Sequence, residues 1–435
     1  MRIVYITPGF GGAFYCQNGL RDQALITELR RIGHEITMVP MYLPLSADEP
    51  GGPLFFGAIS FYLQEQLPLF KRIPAWGERL LNSRFFLQWA AKQAGTSRAE
   101  GTEKITLAML REVDGLQNQE MNRLITWLKN EIRPEVVHLS NALIIGLAPS
   151  IKRQLGVPVF CTLQDEDSWL DALAEPFSKM GWEEMKNSAA AVDAFVAVSD
   201  YYRDFIRRKL NSPGFPIQVI PVGVNPANYQ KAPLSFEPPV VGYLSRLSKA
   251  GGLEILVEAF IRLKQEPRFA KLRLRAMGGM TGDDRKFLNR MEKKLRENQA
   301  SQAVEFFRDF DSESRFDFFQ SLSVLTVPVE GGEAFGAYQI EALASGVPIV
   351  QPNVGAFPEI VQATGGGLLY EPNDPETLAR TLMRLLDDPA WARTLGEQGR
   401  VAVTKNYHIE QIAGRMVALY QSYIKPGAIV AEGVD

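Results

Sequence analysis

Short apolar runs rich in Val and Ile recur along the chain, and longer stretches with apolar residues every three or four positions separate them. A run that is apolar throughout suits a strand buried on both faces, so this alternation predicts parallel sheets joined by helical crossovers, an α/β fold. In the first half, strands are expected at 2–7, 35–39, 135–139, 158–163, 194–199 and 218–221. A helix over 19–32 places Leu20, Ala24, Leu25, Leu29 and Ile32 on one stripe, and Gly33 stops it.

Neither period survives through NPANYQKAPLSFEPP at 225–239, where Pro and polar residues interrupt both, and this segment reads as a linker. A second series follows, with strands expected at 240–244, 271–277, 304–307, 324–328, 348–351 and 367–370. Helices are expected at 253–264, 283–297, 337–345 and 375–386. Two doubly wound, Rossmann-like domains in tandem leave a cleft between the carboxyl ends of their sheets. The expected division is a first domain over 1–225, a linker over 226–239, a second domain over 240–407, an amphipathic helix over 408–424 crossing back, and a tail over 425–435. Residues 42–130 are too long for a simple crossover and unusually aromatic, an elaboration of the first domain.

Composition narrows the class. A length of 435 residues exceeds what one hydrophobic core usually spans, and a net charge of −3 disfavours nucleic acid as a main partner. Cys16 and Cys161 are too few to staple such a chain, which fits a reducing, cytoplasmic setting and two buried thiols. No signal peptide is evident ahead of MRIVYIT. The longest uncharged apolar stretch, 53–63, falls short of the roughly 20 residues a spanning helix needs.

The chemistry concentrates at 330–359, EGGEAFGAYQIEALASGVPIVQPNVGAFPE. A Gly-bearing loop at 331–336 lets backbone approach a ligand, and the helix after it directs its positive end at an anion, a seat for phosphate. Glu333 and Glu341 are expected to face one cavity there, where their oxygens can accept hydrogen bonds from sugar hydroxyls. This string, with Glu333, Phe335, Gly336, Glu341, Ala342, Ala344, Gly346 and Pro348, then Gly355 and Glu359, resembles the GT-B glycosyltransferases, in particular the retaining family 4 with its Glu-x7-Glu motif. The resemblance covers nearly the whole chain apart from the aromatic elaboration and the tail. It implies a retaining glycosyltransferase that takes a sugar from a UDP-, GDP- or ADP-sugar in the cleft, with no metal and no further cofactor. By position it gives Glu333 the donor-sugar hydroxyls and Glu341 the ribose, with Ala334, Phe335, Gly336 and Ala337 in the donor-binding loop.

A second matching site is VGYLSRLSKAGG at 241–252, whose cations Arg246 and Lys249 suit a diphosphate in the ground state and as leaving group. The family's Lys directly precedes the helix-side Gly, the place Gly251 holds here. Gly11 and Gly12, in PGFGGAFYCQNG, resemble the family's Gly-Gly turn beside donor phosphate and acceptor. Their spacing is not the dinucleotide GxGxxG, which removes the main support for a nicotinamide oxidoreductase. In VPVFCTLQDEDSW, Gln164 stands where the family carries a His and Asp165 follows it. Gln has no titratable proton, so its expected role is orientation of donor or acceptor, and Asp165, Glu166 and Asp167 remain open as carboxylates. Asp165 and Asp167 also spell a DxD, which holds metal and diphosphate in other transferases. His138 ends its strand where it either touches acceptor or sits in the core, and His34 marks a helix–strand junction.

Residues 55–89 interleave aromatics with Lys71, Arg72, Arg79 and Arg84, which suits either helical core or peripheral membrane contact presenting a lipid-linked acceptor. The acceptor, a glycan, lipid-linked or small molecule, is expected on the first domain. Two alternatives stand beside the transferase: a catalytically silent nucleotide-sugar binder, favoured by Gln164 and the displaced Lys, and another GT-B enzyme such as a phosphorylase or epimerase.

Overall fold

The computed structural model describes residues 1–8, 17–41, 103–111, 116–212, 214–280, 284–307 and 312–424. Gly11, Gly12, Cys16, the aromatics at 55–89 and the tail at 425–435 lie outside the described residues, as does the side chain of Leu20.

Strands β1 (Arg2–Thr7), β2 (Glu35–Pro40), β3 (Val136–Leu139), β4 (Val159–Leu163), β5 (Ala194–Ala197) and β6 (Ile217–Val219) form one sheet in the order β2-β1-β3-β4-β5-β6. Strands β7 (Val240–Leu244), β8 (Arg273–Met277), β9 (Val304–Phe307), β10 (Val324–Leu325), β11 (Ile349–Pro352) and β12 (Gly367–Tyr370) form the other, ordered β12-β11-β10-β7-β8-β9. Every pairing in both is parallel. Each order reverses direction at a switch point, which opens a crevice at the strands' carboxyl ends. Covered on both faces, β1, β3, β4, β5 and β7 are buried almost without exception, the cause of their unbroken apolar sequence.

The helices that position the site are α1 (Gln17–Arg31), α2 (Glu166–Leu170), α3 (Asp200–Lys209), α4 (Ala337–Ala344), α5 (Phe357–Thr364) and α6 (Ile409–Tyr423). On α1, Leu25 and Leu29 are buried and Ala24 half-buried, as the stripe predicts, but Ile32 is 36% exposed. The helix ends at Arg31, and the left-handed Gly33, whose N–H reaches the Arg30 carbonyl, turns Ile32 away from the stripe. His34 follows at the junction, its Nδ1 3.2 Å from the Met1 nitrogen. Several strands are shorter than expected, β5 and β10 for reasons that lie in single residues. β5 stops at Ala197 because Ser199 becomes the N-cap of α3. β10 stops at Leu325, and Val327 N–H then donates to the Gln351 side chain instead of a neighbouring strand. The described part of the aromatic elaboration is helical, at Glu103–Leu110 and Leu116–Trp127.

The chain passes between the sheets twice. At both passages it makes one seam: Val224 N–H donates to the Tyr407 carbonyl at 2.9 Å, and Ile409 N–H to the Val224 carbonyl at 2.8 Å. Helix α6 then returns to the first sheet, where Ile409, Ile412, Ala413, Met416 and Tyr420 share one buried cluster with Leu25, Ile26, Leu29, Ile3 and Phe160.

Candidate active site

The loop between β10 and α4 is tight and glycine-bearing. Gly336, with φ of +77°, is the N-cap of α4, and no side chain caps that helix. A Cβ at Gly336 would lie 3.1 Å from Glu333 Oε2, so the Glu333 carboxylate folds back against the start of α4. From Tyr338 to Ala344 the helix is wholly buried, leaving only its first residue, Ala337, partly open.

Glu341 sits one turn into α4. Its Oε1 accepts from the Tyr229 hydroxyl at 2.8 Å and pairs with Arg315 at 3.3 Å. Its Oε2, buried, has no hydrogen-bond partner among the described residues. A buried carboxylate oxygen left unmet is costly, and it stays available to a hydroxyl from outside the chain. Glu341 lines a cavity of about 340 Å³ together with Ala337, Tyr229, Arg315, Arg21 and Thr27. Glu333 is not part of that lining and lies against Gly336 at the start of α4.

Glu333 belongs with the second predicted cluster. Burial, then the Glu333 charge, raises the Tyr243 phenol well above its ordinary value, and Asp284 and Arg246 act on it too. Arg246 is about half-exposed and grips Asp284 through Nε at 2.8 Å and Nη2 at 3.2 Å. Lys249 is exposed. The displacement of the family's Lys has a steric reason: the Tyr243 hydroxyl shares its proton between the carbonyls of Arg246 at 2.7 Å and Gly251 at 3.1 Å, and a Cβ at Gly251 would lie 2.3 Å from that hydroxyl.

Across the cleft, Gln164 is buried, its Nε2 donating to the Ser140 carbonyl at 2.7 Å while Oε1 has no partner among the described residues. The three carboxylates after it part company. Asp165, in the left-handed region at φ of +59°, accepts the Ala334 N–H at 3.2 Å. Glu166 is sealed in the core, accepting from Ala142 N–H, Gln164 N–H and the Tyr202 hydroxyl, and burial pushes its carboxyl up to about 7. Asp167 Oδ1 lies 2.8 Å from the same hydroxyl and shares its single proton with Glu166. Asp165 and Asp167 therefore serve different partners, and among the described residues no group of three or more His, Cys, Asp and Glu is placed to hold a metal.

His138 lies in the core and not in the cleft. It is fully buried and stacked on Tyr5, with Nε2 and Nδ1 hydrogen-bonded to Thr162 at 2.7 Å and Tyr420 at 2.8 Å. Desolvation, then the nearby Arg21 charge, lowers it to about 3, so it stays neutral at any ordinary pH. Cys161 is likewise buried. Sequence reasoning missed Tyr229, Arg315, Asp284 and Ser199. Each meets its partner from a distant segment, and no local spacing announces it.

Asp165 after β4 and Ser199 after β5 both hydrogen-bond the backbone of Ala334 after β10, so two doubly wound sheets confront each other at their carboxyl ends, the GT-B class of fold. Residues 104–228 match the family described as Glycosyltransferase Family 4, and residues 225–402 the one described as Glycosyl transferases group 1. The chain belongs to the family 4-like GT-B glycosyltransferases. It is similar to a D-inositol 3-phosphate glycosyltransferase of Corynebacterium urealyticum, 28% identical over 48% of this chain and 50% of that protein. The chain thus spans about half the length of the curated relatives it matches. Among solved structures it is similar to sucrose-phosphate synthase of Thermosynechococcus elongatus, with TM-score 0.70, 21% identity, and 97% and 99% of the two chains covered. It is also similar to Anabaena HepE in complex with UDP, with TM-score 0.66, 14% identity, and 97% and 100% covered. Among the described residues no helix is long and apolar enough to cross a membrane.

Proposed function

We propose that the chain is a retaining glycosyltransferase that binds a nucleotide sugar against the start of α4 and transfers the sugar to an acceptor held by the first domain. One observation carries this: the buried Glu341 keeps one carboxylate oxygen unmet beside a cavity that reaches the opening turn of α4. That oxygen takes a ribose hydroxyl, and Tyr229 and Arg315 hold the other in place. The α4 dipole and Arg246 receive the diphosphate, Arg246 exchanging its Asp284 partner for it. Lys249 adds charge from the exposed loop, and Glu333 takes donor-sugar hydroxyls. The buried Gln164 orients donor or acceptor through its unpartnered Oε1. Same-face delivery of the acceptor to an oxocarbenium-like centre gives retention, the departing diphosphate being stabilised electrostatically. UDP is the first nucleotide to try, because the similar HepE is seen with UDP.

A thermal-shift panel of UDP-, GDP- and ADP-sugars tests the reading, since a ligand bound only by the folded state raises its melting temperature. One member should do so, and Glu341→Ala should weaken it by about tenfold or more, the factor set by roughly 1.4 kcal/mol of hydrogen bonding to a charged group. Equal affinity in the variant removes Glu341 from the site. Donor binding without transfer or slow hydrolysis would turn the chain into a silent binder.

A further inference from the structure

The Glu333 loop is gripped from the opposite domain. Ala334, the residue after Glu333, is buried, and both of its backbone polar groups leave their own domain for partners. Its N–H donates to Asp165 Oδ1 at 3.2 Å, and its carbonyl accepts from Ser199 Oγ at 2.6 Å. The Ser199 hydroxyl has a double use: it accepts the Tyr202 N–H at 3.0 Å as the N-cap of α3, and its proton goes across the cleft to Ala334.

The grip is reciprocal. The next two amides of α3, those of Asp200 and Tyr201, are taken by the Glu359 carboxylate of α5, with Asp200 N–H at 3.0 Å. An anion from one domain therefore caps a helix of the other, at the helix end where negative charge is favoured. Ala356 N–H donates to the Glu333 carbonyl at 3.1 Å, tying the start of α5 to the same loop.

We infer that domain closure itself sets the geometry of the Glu333 loop, with Asp165 and Ser199 as positioning residues that act on it through the Ala334 backbone. In an open molecule Ala334 loses both partners, and the loop keeps only ties of its own domain, such as Ala356 N–H to the Glu333 carbonyl and Gln339 Nε2 to the Phe335 carbonyl. With the cleft shut, the two hydrogen bonds to Ala334 hold Glu333 beside Gly336, where the donor sugar is to be met. Assembly of the donor site is thereby made conditional on closure, which keeps a reactive donor from being turned over while the acceptor side is open to water. The inference rests on the glycosyltransferase reading for its purpose and on the Ala334 contacts for its geometry.

Amide hydrogen exchange across 331–337 reads the geometry without any ligand. Two variants break the grip: Ser199→Ala, and Asp165→Gly, whose glycine accepts the left-handed backbone at that position. Two keep it, Ser199→Thr with its hydroxyl and Asp165→Asn with its acceptor oxygen. Exchange should quicken by about tenfold in the first pair and stay within about twofold of wild type in the second. Turnover of the nucleotide sugar that the panel identifies should lose about tenfold in kcat in the first pair, while the Kd for free UDP, or whichever diphosphate that sugar carries, changes by less than about threefold. Unchanged exchange in both breaking variants overturns the inference, as does faster exchange with intact kcat. A wild type inert toward every nucleotide sugar, with the exchange pattern as stated, defeats the glycosyltransferase reading and leaves the loop-setting contacts standing.

Discussion

Glu166, between the candidate site residues Gln164 and Asp167, is a carboxylate held wholly inside the core. Burial pushes its carboxyl up to about 7 from an ordinary 4.5, even though Ala142, Gln164 and Tyr202 all donate to it. Between those two values the folded chain holds a proton that the unfolded chain has released. The stability from this group is therefore fully present below the ordinary value and is lost as pH rises through 7. Glu166→Gln stays neutral throughout and lacks the decline. Urea unfolding at about pH 5 and about pH 8 should show the wild type losing about 1–3 kcal/mol relative to the variant, and parallel curves would remove the assignment.

At the scale of elements, apolar runs located strands both at the centre and at the edge of a sheet. β1 and β7 fall where predicted because a strand packed on both faces imposes its demand on every residue in the run, and the half-buried edge strands β9 and β12 fall where predicted too. Ends set by a single hydrogen bond escaped, as at Ile32, where a glycine turn overrides the stripe, and after Leu325, where a Gln side chain replaces a strand. The candidate site divides in the same way. The Glu333 to Glu341 string is local, so its residues could be named, while Arg315 reaches Glu341 and Asp284 reaches Arg246 only through the fold. His138 was half legible: its strand was clear, but the α6 residue Tyr420 that closes over it lies far along the chain. The loop after β7 makes the point testable. Gly251→Lys restores the family's residue in sequence but sets a Cβ against the Tyr243 hydroxyl. It should cost about 1–3 kcal/mol of stability, seen as a lower urea midpoint, without any gain in donor affinity; an undiminished midpoint would show that the loop has room.

On the scale of the whole molecule, both passages between the sheets run through the seam at Val224 and Ile409, and α6 finishes the surface of the first sheet. A fragment 1–225 should therefore aggregate, with Leu25, Ile26 and Leu29 uncovered, and a peptide of 407–424 added in trans should recover soluble material in a sedimentation assay. Failure of the peptide to do so would place the decisive contacts elsewhere.

The same late-arriving helix constrains birth as well as stability. A ribosome must complete all of β7 to β12 before α6 emerges, and at about 5–20 residues per second that delay reaches roughly tens of seconds. Throughout it the nascent first domain carries an uncovered apolar flank at Leu25, Ile26 and Leu29, which only the arrival of α6 closes.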